Sequence, residues 1–308
     1  MGSEANYTAL VCAFSGPVTL YTARECQPAW HKIAHQAGNG REALRFVATD
    51  GSGRMDAGAL AERVQANPGT GYCPVLISAT AGTTGAGMVD LLESCARIAN
   101  DYAIWYHVDA AWGGPALWSD RLRGELQGLE LTDSVIVDAH KWFATTMGCG
   151  MCITHHAPLL HEAFGAGVDF VPSTISSIDA YVNTVQWLRR FMGLRLFLPL
   201  AVAGWAGYGA HVERGVELFS HIRELLQSLG WSAVNDSKLA VLCVVWPLAG
   251  EPIREIVKRL LSSGRAWAAV AQFEGREVLR ICATHGETTS EDVEVLVAAL
   301  HAARHQLG

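Results

Sequence analysis

The stretch YCPVLISATAGTTGAGMVDLLESCARIANDYAIWYHVDA, residues 72–110, decides the fold class. Residues 72–80 form a short apolar run of the kind a buried strand needs, residues 89–102 repeat apolar side chains at spacings of three and four, and residues 103–110 return to a strand pattern. Strand, helix, strand in that order predicts a parallel sheet covered by helices, because a parallel neighbour is reached only through a crossover. Residues 133–139 and 149–154 supply two further strands.

Beyond Asp179 the pattern turns helical through Gly209 and continues so over residues 211–230. Residues 237–246, 251–264, 266–273, 276–283 and 289–307 then read strand, helix, strand, strand, helix. A large α/β domain over residues 1–210 and a smaller α+β domain over 211–308 are therefore expected. Ser290, followed by Glu291 and Asp292, predicts the N-cap of the last helix.

At 308 residues, half of them apolar, the chain can bury a sizeable core and is long enough for an enzyme. Its net charge of −7 is spread without a basic block, which argues against nucleic acid or an anionic membrane and leaves a small-molecule substrate as the default. Eight cysteines lie mostly inside apolar runs with no signal-peptide pattern before them, so reduced thiols in a cytoplasm are expected. Cys149 and Cys152 have C-x-x-C spacing but no second pair at zinc-ligand spacing; they read as structural thiols, and no metal is expected. The apolar run 193–210 is broken by Arg195, Pro199 and glycines and is short for a bilayer, which makes it a buried helix or a subunit contact.

In open α/β sheets, ligands sit outside the carboxyl ends of the strands. Asp109 ends one strand, Lys141 follows SVIVDA (134–139) with His140 beside it, and Thr83 and Thr84 follow the strand ending at Thr80. With four lysines in the chain (Lys32, Lys141, Lys238 and Lys258), Lys141 is not readily dismissed as one solubilising charge among many. Taken singly, the acid reads as a loop cap and the lysine as a solvated charge. Together they suit pyridoxal phosphate, which needs a lysine amine, a carboxylate for its ring nitrogen, a phosphate cup and small residues on its ring face, such as Ala110 and Ala111. Gly2 and Ser3, heading GSEAN, offer backbone N–H groups and a hydroxyl to a phosphate. On spacing alone, a plain serine N-cap or a cloning scar explains them as well.

The segments HVDAAWGG (107–114), DSVIVDAHKW (133–142), SATAGTTGAG (78–87) and QWLRRFMGLRLFLPLAVAGWAGY (186–208) resemble the pyridoxal-phosphate-dependent group II amino-acid decarboxylases, the aromatic-L-amino-acid decarboxylase family, and LRICATHGETTSEDV (279–293) resembles their C-terminal domain. The resemblance implies the aspartate-aminotransferase-like α/β fold (fold type I), with its large domain incomplete at the N-terminus. It implies a Schiff base on Lys141, His140 on the phosphate side, Asp109 against the pyridinium nitrogen, Ala111 on the ring and Thr84 near the phenolic oxygen. It also raises Gly2 and Ser3 to a phosphate cup, since GSEAN matches the family there. A homodimer is implied, because this family builds its sites at a subunit interface.

Three departures bear on function. The family carries a long segment before GSEAN that helps line the substrate pocket, so a separate N-terminal polypeptide, a fragment or a differently built pocket is expected. Gln27 stands where the family stacks a histidine on the ring, unless the alignment shifts and His31 takes that place; an amide has no acid or base function near neutral pH. Phe170 stands where a loop tyrosine returns a proton after carbon dioxide leaves, and a phenyl ring has none to give. In relatives with phenylalanine there, reaction with oxygen is expected to give an aldehyde, ammonia and peroxide; the plainer reading has Phe170 packing the loop while another group protonates.

The first expectation is thus an enzyme acting at Cα of an L-amino acid or amino-acid conjugate by decarboxylation-coupled oxidative deamination. Simple decarboxylation to an amine, β-elimination on a cysteine-type substrate, and a non-catalytic subunit needing a partner are the alternatives. Arg189 and Arg190 are candidates for binding a carboxylate, although paired helix arginines more often face solvent or an interface.

Overall fold

Short apolar runs bounded by turn residues build a six-stranded sheet. The computed structural model describes residues 2–13, 17–67, 71–165, 180–247 and 252–305. The strands are β1 (Val18–Ala23), β2 (Leu44–Val47), β3 (Cys73–Thr80), β4 (Trp105–Asp109), β5 (Ser134–Asp138) and β6 (Gly150–Thr154), in spatial order β2-β1-β3-β4-β5-β6. The first five run parallel, and β6 closes one edge antiparallel to β5.

Because side chains alternate across a strand, neighbouring residues feed different cores. Leu20 and Leu76 pack with Leu10 of α1 (Gly2–Ala13) and with Trp30 and Ile33 of α2 (Ala29–Gln36). Tyr21 and Ile77, one residue on, pack into the larger core with Leu60 and Val64 of α3 (Ala57–Gln65) and Cys95 and Ala99 of α4 (Leu92–Asp101). Burial on both faces is why β1 and β3 read as nearly continuous apolar runs. A short helix, α5 (Ala157–Phe164), follows β6.

The larger core extends through α6 (Leu194–Ser228) into a second sheet. That sheet holds β7 (Ser232–Ala233), β8 (Val241–Val245), β9 (Ala269–Phe273) and β10 (Arg276–Cys282) in the order β7-β8-β10-β9, all antiparallel. It is completed by α7 (Ile253–Ser262) and α8 (Ser290–His305). The expected strand-helix-strand-strand-helix order is therefore present. The division proposed at residue 210 falls inside α6, which packs with both sheets.

Two local expectations need correction. The helix expected from Asp179 starts at Leu194; residues 180–193 hold one 3-10 turn, Ala180–Val182, and are largely exposed, so no buried stripe supports a longer helix there. Within α6, Gly204 takes φ 66°, outside the helical range, and breaks the axis. At α8 the cap is Thr289 and not Ser290: the Thr289 hydroxyl accepts from Asp292 N (3.2 Å), while Asp292 Oδ2 accepts from Thr289 N (2.8 Å), a reciprocal capping box.

The loop after β3 is tied down by Asp90, whose buried carboxylate accepts from Met55 N (2.6 Å) and Thr80 N (2.7 Å). Burial nevertheless pushes its pKa from 3.8 up to about 6, against the pull of those two bonds. A folded-state value above the unfolded one means the folded chain holds this proton more tightly, so the contribution is full below 3.8 and is lost as the pH rises through about 6. Asp90→Asn has no such titration. Urea unfolding of both proteins at several pH values should show wild type losing stability relative to the variant between about pH 4 and 6; parallel curves would refute the assignment.

Candidate active site

Asp109 is the last residue of β4 and lies in register with Thr80 of β3 and Ile136 of β5. A buried carboxylate needs donors. Asp109 Oδ2 accepts from Asn6 Nδ2 of α1 (2.8 Å), and Oδ1 accepts from Ala111 N (3.1 Å). Burial raises its pKa, the bond from Asn6, the nearby Lys141 ammonium and the Ala111 N–H lower it, and Asp138 raises it. Ala111 packs with Ala5 of α1 and with Ile136. The turn closes through Gly113 N to Ala81 O (2.9 Å) and Gly114 N to Ala110 O (2.8 Å). A side chain at Gly113 would strike the Ala81 carbonyl and one at Gly114 would strike Val137, which explains the glycine pair.

Lys141 leaves the neighbouring strand through a matching turn: its N–H donates to Asp138 O (3.0 Å), and its own carbonyl accepts from Ala144 N (3.0 Å). The next side chain, Trp142, is fully buried and stacks on Trp112 at 5.6 Å and 20°, so the lysine turn and the aspartate turn are braced against each other. The indole of Trp112 in turn donates to Leu239 O (2.7 Å), fastening both turns to the second unit.

Lys141 Nζ lies 3.2 Å from Asp138 Oδ2, with the lysine side chain 33% exposed and the aspartate side chain 5%. His140 Nδ1 bonds the Cys149 carbonyl (2.9 Å), which leaves Nε2 facing Asp138 Oδ2 at 3.8 Å. Gly2, buried at the start of α1, abuts the same carboxylate: a Cβ there would stand 2.6 Å from Asp138 Oδ2. The positive end of α1, the lysine and the histidine thus gather around one point. Asp138 Oδ1 is buried and unpartnered among the described residues.

The structure brings Asp109, Ala111, His140, Lys141 and Gly2 together, with Ser3 exposed beside Gly2. Gln27 and Thr84 lie on the loops after β1 and β3, and each is already engaged. The amide oxygen of Gln27 accepts from Ala29 N at the start of α2, and the carbonyl of Thr84 accepts from Arg280 Nε of β10 (2.8 Å). His31 is exposed and tilted against Phe46. Phe170 lies outside the described residues. Arg189 and Arg190 are exposed. Of the C-x-x-C pair, Cys149 is buried with its thiol toward Met192 O (3.6 Å), and Cys152 packs beside the Ala5 cluster.

Two functional residues carried no sequence-level role. Asp138 sits three positions before the lysine, and this turn spacing was the available signal. Asn6 lies within GSEAN, but its bond to Asp109 spans 103 positions and no local pattern reports it.

A lysine and a buried carboxylate at adjacent strand ends, beside a helix N-terminus, define a pyridoxal-phosphate site of the aspartate-aminotransferase-like fold. The fit rests on particular features: a buried acid whose two oxygens each accept an N–H hydrogen bond and can face a protonated ring nitrogen, an anion-attracting helix start with Gly2 in close approach, and an accessible amine. The chain belongs to the pyridoxal-dependent decarboxylase family, whose conserved domain matches residues 8–245. It is 24% identical over 312 residues to the aromatic-L-amino-acid decarboxylase of Bacillus atrophaeus, covering 95% of this chain and 65% of that protein. It is 28% identical over 288 residues to the phenylacetaldehyde synthase of Arabidopsis thaliana, covering 89% of this chain and 59% of the relative. Among solved structures, Oryza sativa TDC with PLP and tryptamine superposes with a TM-score of 0.94 at 24% identity, covering 100% of this chain and 69% of that one. The chain thus spans less than two thirds of the length of these curated relatives.

Proposed function

We propose that the chain is the catalytic portion of a pyridoxal-phosphate-dependent enzyme that removes the α-carboxylate of an L-amino acid or amino-acid conjugate. The observation that carries this reading is the buried Asp109, held by Asn6 and Ala111, at the strand end next to Lys141. Bound pyridoxal phosphate supplies the electron sink. Lys141 would offer the amine that holds the cofactor. Asp109 would face the ring nitrogen and favour its protonated form, which makes the sink effective. Gly2, Ser3 and His140 would receive the phosphate, and Asp138 positions the Lys141 amine at 3.2 Å. Ala111 leaves room on one ring face, while Gln27 and Thr84 border the same space.

Position 170 decides the product in this reading. A phenylalanine there returns no proton to Cα, which leaves the product open to oxygen: amino acid, oxygen and water give aldehyde, carbon dioxide, ammonia and hydrogen peroxide. The similarity to a phenylacetaldehyde synthase supports this outcome. The similarity to an amine-forming aromatic-amino-acid decarboxylase supports the simpler reading, in which another group protonates Cα.

Leu188, Phe191 and Val202 are 87%, 78% and 90% exposed in the 185–205 region, an apolar surface too extensive to leave in water, and it supports a homodimer or a separate N-terminal polypeptide as its cover. The free cysteines of the described residues support a reducing compartment such as the cytoplasm. No helix among the described residues is long and apolar enough to cross a membrane.

Three measurements test these points. Borohydride reduction after incubation with pyridoxal phosphate should add one cofactor mass on the peptide bearing Lys141 and none in Lys141→Ala; labelling spread over other lysines would refute the site. Phe170→Tyr should shift the aldehyde-to-amine ratio toward amine by about a hundredfold, the low end for a positioned proton donor, and an unchanged ratio would remove Phe170 from the mechanism. Light scattering should give twice the 33.1 kDa chain mass; a monomer that stays monodisperse and binds the cofactor would sink the dimer proposal.

A further inference from the structure

A file of polar groups runs from β4 and β5 through α1 to Asp109. Trp105 Nε1 donates to Ser134 Oγ (2.8 Å), Ser134 Oγ meets His107 Nδ1 (2.8 Å), His107 Nε2 meets Asn6 Oδ1 (2.8 Å), and Asn6 Nδ2 donates to Asp109 Oδ2 (2.8 Å). Ser134, His107, Asn6 and Asp109 are all buried. We propose that these four bonds form a one-way relay that favours the carboxylate form of Asp109 against its burial, with His107 as a positioning residue locked in its Nε2–H tautomer. The proposal rests on the reading of Asp109 as the partner of the cofactor's ring nitrogen.

The direction follows from the two ends. An indole N–H only donates, so Ser134 Oγ must accept from Trp105. Among the described residues that oxygen meets one other group, His107 Nδ1, so the single serine proton goes there. His107 Nδ1 then accepts, its proton sits on Nε2, and Nε2 donates to the Asn6 carbonyl oxygen. That orients the amide with its NH2 toward Asp109. At the other end, Asp109 also accepts from Ala111 N and feels the Lys141 ammonium, both of which favour the carboxylate. The reverse arrangement would aim two N–H donors at Ser134 Oγ, leave the serine's own proton without an acceptor among the described residues, and require a protonated Asp109. Dipoles aligned in one direction reinforce one another.

Burial keeps His107 neutral, pushing its pKa down to about 3 although a hydrogen bond with the Ser134 backbone favours the charged form. Among the described residues the ring against it is Trp30, edge-on at 5.9 Å, which offers no charge. Among the described residues the charged and titratable groups that act on Asp109 include Lys141, Asp138 and Cys26.

Nitrogen-15 NMR of the cofactor-free chain, with the His107 signals assigned by their loss in His107→Gln, should show the Nε2–H tautomer unchanged from about pH 5 to 8. An Nδ1–H tautomer or an imidazolium overturns the relay. Carboxyl carbon-13 NMR should show the Asp109 titration moving up by about one pH unit or more, a tenfold change in proton affinity, in His107→Leu. His107→Gln, which can accept from Ser134 and donate to Asn6, should restore most of that shift. A folded His107→Leu chain with the wild-type titration, or no rescue by Gln, refutes the positioning role. Should wild type fail to bind pyridoxal phosphate, the cofactor reading falls while these measurements on the cofactor-free chain still decide the relay.

Discussion

The parallel register of β3, β4 and β5 is the constraint on which the site depends. With Thr80 opposite Asp109 and Asp109 opposite Ile136, β3 and β4 end level while β5 runs two residues further to Asp138. Asp109 and Lys141 are far apart in sequence, yet the ends of these neighbouring strands bring the Lys141 charge to bear on Asp109. The turns themselves have little freedom. The Gly113 and Gly114 backbones pass so close to Ala81 and Val137 that no side chain fits, and the Trp112–Trp142 stack fixes one turn against the other. A buried charge at the end of such a strand is tolerable because the geometry brings donors to it and not because burial is gentle.

That reasoning also separates what was legible in the sequence from what was not. The strands around Thr80, Asp109 and Asp138 were legible because two-sided burial writes an apolar run that local composition reveals. That Asp109 and Lys141 each follow a strand's carboxyl end was legible in the same way, whereas the pairing of β4 with β5 that makes those ends neighbours is written in no local pattern. The start of α6 was not: residues 186–193 have helical spacing, but what decides whether helix forms is a surface to bury against, which a sequence window cannot display. The α8 cap shifted by one residue because Thr289 and Ser290 are both good caps, and the reciprocal bond from Asp292 chooses between them. Asn6, His107 and Ser134 were present in the quoted motifs without an assigned role; the bonds joining Asn6 to His107 and Asp109 span 101 and 103 positions, and those joining Ser134 to His107 and Trp105 depend on β4 pairing with β5.

Electrostatics divides the site into two halves. On one side Asp109 receives hydrogen bonds from Asn6 and Ala111 and, among the described residues, none from another ionised group. On the other, Asp138 gathers a lysine, a histidine and a helix N-terminus around a single carboxylate that leaves one oxygen unpartnered among the described residues. The first half is complete as it stands. The second is an arrangement of positive groups larger than its one internal acid requires, which is the character expected of a place where a further anion binds.

The two acids also act on each other through the lysine between them. Asp138 raises the proton affinity of Asp109 and Lys141 lowers it, so the Lys141 charge favours the Asp109 carboxylate. In the relay proposed above, the hydrogen bond from Asn6 to Asp109 is backed by Trp105, Ser134 and His107, neutral groups whose polarity does not depend on the charge of Lys141.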